Sequence, residues 1–429
     1  MTRPLRRWPL LGHLPSFQAD STAFLLQLSR EQGDVAHFRL GRTDAVLLSH
    51  PQDVRRVLVD MAPEFTKGRL MQRARRLLGD GLLTSEGEMH RCQRRSIQPV
   101  FAKERLHGYA ELVPALARSQ VSRWRPGHRI HLNAEMEALT MTVVARTMLG
   151  DIQADVPALG AALRRLARWA PLLAAPGGEI WENVRLPLLG SLGDAIQTVE
   201  TVIDRQLEER SAAGALVQTL RDGNGVPMSA RLVRDEVMTI FLAGHDTTAA
   251  ALTWIWLLLG EHDDVAVRMR EELSSVLQGR LPDVSDLPKL GYTGSVVKEA
   301  LRLYPPIGRI GRRPVRDIDL EPPVIRKDTA VFLSPFVTQR DSRWFPDPDL
   351  FRPERWSEPA PDRPRFAWFP FGAGPRSCIG EQFAMMMLTL SIATIAQQWR
   401  LRPVKQGLPR GRSLLTLKPR GSVWMIPSA

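Results

Sequence analysis

Two cysteines occur in the 429 residues, and one of them, Cys378, lies in the stretch FPFGAGPRSCIG at positions 369–380. Gly372, Gly374 and Gly380 let the backbone bend tightly there and pass beneath something flat, with amide N–H groups aimed at the sulfur. Such hydrogen bonds stabilise a thiolate and tune it as an electron donor, a setting that suits a metal ligand. Zinc would require further Cys or His ligands at close spacing, and none is near. A nucleophile would require a histidine base, which the sequence leaves open. A thiolate acting as the sole protein ligand of a haem iron needs no second cysteine, and Arg376, two residues away, supplies a cation for a propionate. Cys92 lacks such a setting and is expected to be a small buried hydrophobe.

Other residues are placed where chemistry or buried charge is plausible on spacing alone. Glu299 and Arg302, in EALR, stand three apart on a helix and can pair. AGHDTT, at 243–248, interrupts a long apolar helix with a glycine that costs roughly 0.5–1 kcal/mol relative to alanine and a poorly helical Asp-Thr-Thr. A local fault of that kind is expected at a functional site. GEMHRCQRRSIQPVF carries His90 and Arg94, and GRRPVRD carries Arg312 and Arg313.

FGAGPRSCIG resembles the haem-binding signature of the cytochrome P450 superfamily, F-x-x-G-x-R-x-C-x-G, matched at Phe371, Gly374, Arg376, Cys378 and Gly380. AGHDTT is similar to the same family's A-G-x-[DE]-T-T, and the likeness runs from WPLLGHL to LTLKPRG. The resemblance implies a mainly helical fold with small β-sheets, with haem b between the long central helix and the cysteine-loop helix, in a single domain over residues 1–429. It implies Cys378 as axial ligand, and His90, Arg94, Arg312, Phe371 and Arg376 as haem-binding residues, with Arg313 competing for the place of Arg312. His90 stands where many members have Trp, and Met387 where an acid is common. Asp246 and Thr247 would deliver protons during oxygen activation, beside a helix widened at Gly244. Glu299, Arg302 and Arg355, the last from FRPERW, would form a buried network that serves folding and haem retention.

The activity implied is a haem-thiolate monooxygenase that inserts one oxygen atom of O2 into a mainly hydrophobic small molecule, by hydroxylation or epoxidation. Leu82, Leu83, Ala243, Ile307, Gly308, Leu414 and Leu415 are expected to line the substrate pocket, a mostly apolar set. Arg309 would face a substrate carboxylate, a propionate or solvent. No flavin or iron–sulfur motif is present, so electrons are expected from a ferredoxin and its reductase docking on a basic face. A peroxide-driven peroxygenase and a non-catalytic haem-binding protein are the alternatives, and members of the former typically lack the acid–Thr pair.

These residues must be positioned by a large core, which 44% hydrophobic residues can build. A hairpin is expected from VAHFRL and AVLLS, then a helix opening at HPQDVRRVLVD, then a mobile loop with short helical pieces from Thr66 to Glu88. Helical periodicity runs from Ala110 to Gln218 with breaks at APGGE and RLPLLGS, followed by the strongest helix, Ser229 to Gly260. Another helix ends at EALRLYPP, and the last begins at Ile379. The net charge of +12 is spread along the chain, which argues against a nucleic-acid module. Two cysteines exclude a disulfide framework, and with no membrane span a cytoplasmic location is expected.

Overall fold

A computed structural model describes residues 5–150, 158–162, 165–166, 169, 192–208, 216, 219–220, 228–320, 324–413 and 415–429. In chain order it contains α1 (Leu14–Ala19), α2 (Ser21–Gln32), β1 (Val35–Leu40), β2 (Thr43–Leu48), α3 (Pro51–Arg55), β3 (Phe65–Lys67), α4 (Arg69–Leu78), α5 (Gly87–Ile97), α6 (Lys103–Val121), β4 (Ile130–His131), α7 (Leu132–Val144) and α8 (Leu192–Glu208). There follow α9 (Ala230–Glu261), α10 (Asp263–Leu277), α11 (Gly291–Leu303), β5 (Ile310–Pro314), β6 (Ile318–Asp319), β7 (Val324–Ile325), β8 (Ala330–Leu333), α12 (Pro335–Thr338), α13 (Glu381–Ala396), β9 (Arg400–Pro403), β10 (Gly411–Ser413), β11 (Leu417–Pro419) and β12 (Trp424–Ser428). The fold is mainly helical with small sheets, as expected. The chain packs as two compact units, residues 1–68, 117–136 and 247–429 in one, 69–116 and 137–246 in the other.

The first unit is organised by a five-stranded sheet in the order β1-β2-β8-β5-β3. The β1–β2 hairpin forms as expected, with Val35 opposite Leu48 and Leu40 opposite Thr43. β2 then pairs parallel to β8. Its ALL-apolar run AVLL fits burial on both faces: Val46 and Leu48 join a cluster with Val57, Phe65 and Val331, while Ala45 and Leu47 join one with Phe24, Leu25 and Phe38. α13 is apolar all round because it is a core helix, with Met387 fully buried. It starts two residues later than Ile379, since Gly380 is its cap residue.

The Thr66–Glu88 stretch is more regular than the expected loop with short helical pieces. It completes β3 in the first unit and holds the ten-residue α4 in the second, so the irregular part is mainly residues 79–86. The glycines that suggested a loop, Gly68, Gly79, Gly81 and Gly87, flank α4 without entering it. α6 and α8 supply much of the helix expected between Ala110 and Gln218, and α6 accommodates Pro114 in its interior. APGGE and RLPLLGS lie outside the described residues. The long central helix α9 opens where the sequence placed it: the Ser229 hydroxyl accepts from the Leu232 N–H at 3.2 Å.

Candidate functional site

The cysteine loop lies in the first unit. A tight turn at Gly374–Arg376 delivers Cys378 just ahead of α13. Gly372 and Gly374 have φ of +70° and +69°, the left-handed region that favours glycine. A Cβ on Gly374 would also stand 1.9 Å from the Leu58 carbonyl oxygen, so two independent constraints select glycine there. The Cys378 N–H donates to the Phe371 carbonyl at 2.8 Å, closing the loop on itself. Its sulfur is in no disulfide, and the residue is exposed. Among the described residues, no group of three His, Cys, Asp or Glu could hold a bare metal ion. A thiol presented singly by a glycine turn fits a group that brings its own four nitrogen donors, as haem does.

Behind this loop, in the same unit, the structure brings Glu299, Arg302 and Arg355 together. Arg302 donates from Nε to Glu299 Oε2 at 2.9 Å and from Nη2 to Oε1 at 2.8 Å, while Arg355 Nε reaches Oε1 at 2.8 Å. Glu299 and Arg302 are completely buried. Two further donors escaped the sequence reading: the Trp356 indole N–H, 3.0 Å from Oε2, and the Arg352 backbone N–H, 3.1 Å from Oε1. Trp356 directly follows Arg355 in FRPERW, the only signal available for it. Arg302 also donates to the carbonyls of Gln339, Pro348 and Leu350, tying α11 to the segment that leads to the cysteine loop. Burial lowers the Arg355 guanidinium from its usual range, against the attraction of Glu299.

Strand alternation separates the two competing arginines of β5. Arg313 is ion-paired with Asp328, whereas Arg312 points to the other face and donates to the Gly311 carbonyl at 3.0 Å. Arg309 is not solvent-facing. It donates to the hydroxyls of Ser21 at 2.5 Å and Ser413 at 3.0 Å, lies over the Phe17 ring, and is pushed down to about 10 by burial.

α9 carries a window. Val237 to Phe241 and Thr248 to Leu259 are buried, but Ala243 is exposed and Asp246 and Thr247 are half-buried. Positions 243 and 247 share one helix face by their four-residue spacing. The helix is regular across the motif. Gly244 also lies close against α7: a Cβ there would stand 3.3 Å from Val144 Cγ2. One turn of this contact is fixed by Thr140, whose hydroxyl donates to the His245 carbonyl at 3.1 Å.

In the second unit, His90 is buried and Arg94 half-buried one turn apart on α5. Cys92 differs from expectation: it is only half-buried, with Sγ 3.6 Å from Glu88 Oε1. Leu82 is buried, whereas Leu83, Ile307 and Leu415 are each more than a third exposed, which for apolar side chains marks faces left open. Leu414 lies outside the described residues. Asp235, at the start of α9, has its carboxyl pushed up by burial. No helix among the described residues is long and apolar enough to cross a membrane.

A glycine-turned cysteine loop ahead of a buried helix, on a mainly helical fold, is the architecture of haem-thiolate enzymes. The family profile described as Cytochrome P450 matches residues 2–424, and the chain belongs to this family as a haem-dependent monooxygenase. It is 35% identical to cyclooctatin synthase of Streptomyces melanosporofaciens over 98% of this chain and 94% of that one. It is 36% identical to cyclooctat-9-en-7-ol 5-monooxygenase of the same organism, covering 92% and 88%, and 32% identical to pentalenene oxygenase of Streptomyces avermitilis, covering 92% and 89%. Retinoic acid-bound cyanobacterial CYP120A1 superposes with a TM-score of 0.86 over 98% of this chain and 97% of that one, at 24% identity, a likeness of fold.

Proposed function

We propose that the protein inserts one oxygen atom of O2 into a C–H or C=C bond of a hydrophobic terpenoid, with electrons from a ferredoxin and its reductase, and that residues 1–429 serve this activity as one cytoplasmic domain. The relatives named for cyclooctat-9-en-7-ol and pentalenene support the substrate class. The observation that carries the proposal is the window in α9, where Ala243, Asp246 and Thr247 are open between the buried runs 237–241 and 248–259.

Haem, when bound, supplies the activation of O2. Cys378 would hold its iron as a thiolate, and Arg312, Arg376, His90 and Arg94 would neutralise its two carboxylates through charge-assisted hydrogen bonds. The engagement of Arg313 by Asp328 favours Arg312 for this role. Phe371, in edge contact with Trp368, would pack beneath the ring system. The Thr247 hydroxyl both donates and accepts, so it can hold a proton at its Oγ1, and the adjacent Asp246 carboxylate can exchange that proton with solvent. Leu82, Leu83, Ala243, Ile307 and Leu415 would contact substrate by dispersion and exclude water. The acid–Thr pair favours O2 over peroxide as oxidant.

Thr247→Ala tests the assignment, using a turned-over terpenoid and surrogate redox proteins. The variant is expected to load haem and bind substrate as the parent does, and to keep consuming NADPH while hydrogen peroxide replaces oxygenated product. Unchanged product per NADPH would remove Thr247 from the proton route.

A further inference from the structure

The loop after α4 is fastened to α9 by contacts that neither haem binding nor proton delivery requires. The Leu82 N–H donates to Glu236 Oε2 at 2.8 Å, and the Asp80 N–H to Asp235 Oδ2 at 2.9 Å. From the other side, Gln93 Nε2 of α5 donates to the Asp80 carbonyl at 2.5 Å, and the Thr84 hydroxyl bonds the carbonyls of Gly79 and Gly81 at 2.7 and 3.0 Å. The loop also lies flush on the helix because it lacks side chains at two points. A Cβ on Gly79 would come within 2.1 Å of Asp235 Cγ, and one on Gly81 within 2.3 Å of Thr239 Oγ1.

Glu236 is completely buried. Placing a carboxyl group there is costly, and the hydrogen bond from the Leu82 amide offsets part of that cost. An acceptor that grips backbone amides fixes where the chain runs, whatever side chains it carries. The grip falls on the residues next to Leu83, whose side chain is left exposed while that of Leu82 is buried. A shift at the Leu82 amide therefore moves both leucines.

We propose that Asp235 and Glu236 are a two-point latch on the backbone of residues 80–82 and so act as positioning residues for substrate specificity. The proposal rests on the pocket role given above to Leu82 and Leu83. A tight latch holds the leucines at one depth and limits the bulk of the ligand admitted, whereas a loosened one admits larger molecules.

The test uses the haem-loaded protein as parent, Glu236→Gln and Asp235→Asn. Hydrogen exchange is followed at the Leu82 and Asp80 amides, and each protein is titrated with imidazole and with clotrimazole while the haem absorption band is recorded. Replacing the acceptor carboxyl by an amide, which has a single acceptor oxygen, is expected to speed exchange at the matching backbone amide by about 10- to 100-fold. Imidazole affinity should stay within about twofold while the ratio of the two Kd values changes at least about fivefold. Unchanged exchange in both variants would overturn the latch. Faster exchange with an unchanged ratio would overturn its role in specificity while leaving the haem enzyme intact. A parent whose absorption responds to neither azole would instead overturn the function proposed above, and the specificity role with it. Should Glu236→Gln fail to load haem, Asp235→Asn at its half-buried position decides alone.

Discussion

Replacing Glu299 by glutamine changes one heavy atom at the centre of a buried network, and the outcome can be worked from its hydrogen bonds. Oε1 accepts from Arg302 Nη2, Arg355 Nε and the Arg352 N–H, and Oε2 from Arg302 Nε and Trp356 Nε1. An amide offers one oxygen, so its NH2 group must face donors. The milder orientation puts it at the Oε2 position, opposite Arg302 Nε and the Trp356 indole. Hydrogen bonds to charged groups contribute about 1.5–3 kcal/mol each, and breaking a buried ion pair costs about 3–5 kcal/mol because the partner's charge is stranded. Native stabilities of about 5–15 kcal/mol leave little reserve against such a loss. Glu299→Gln is therefore expected to unfold at markedly lower denaturant and to accumulate with little haem, and Glu299→Ala to do so more severely. The assay is denaturant unfolding followed by tryptophan fluorescence, with haem measured per polypeptide. An unfolding midpoint and haem content equal to the parent's would refute the reasoning, since no arrangement of an amide satisfies these donors.

Cys378→Ser is expected to abolish the red-shifted band of the reduced carbon monoxide complex while Cys92→Ser retains it; the reverse would move the ligand to Cys92. Gly374→Ala, which sets a Cβ against the Leu58 carbonyl at a left-handed φ, is expected to yield soluble protein poor in haem, and full haem content would show that the loop tolerates the shift. Asp286 is completely buried and bound in a fork by Arg280, which holds its carboxyl below the usual carboxylate value. A depressed folded value means stability that is present above the unfolded value of about 4 and lost as pH falls through the folded one. Asp286→Asn should thus be less stable than the parent at pH 7, with the gap closing below about pH 4; a gap independent of pH would contradict the ion pair.

The sequence was most informative where one physical demand dominated. VAHFRL and AVLLS had to form a hairpin, Ser229 had to begin a long helix, and the glycines around Cys378 had to bend. It was least informative where two demands gave the same pattern. Gly244 reads as a fault placed for chemistry, and the structure adds a second demand on it, the close approach of Val144. α4, RLMQRARRLL, was hidden by the glycines at its borders. Nothing in the sequence marks Asp235 and Glu236, two acids near a helix start, where carboxylates are favoured by the dipole. Only the fold reveals that they grip a loop some 155 positions earlier in the chain.

The parallel pairing of β2 with β8 has a consequence for biosynthesis. The Thr338 hydroxyl, just past β8, bonds the Ser49 carbonyl across 289 residues. At about 5–20 residues per second, the ribosome needs roughly 15–60 s to make the intervening chain. During that interval the β1–β2 hairpin has finished its own turn but has no neighbour for the outer edge of β2, where an apolar run presents unpaired amides and carbonyls. The nascent chain must therefore be shielded at its beginning until β8 has emerged, which makes residues 45–48 the segment at which a holding chaperone, or an aggregating neighbour, first finds this protein.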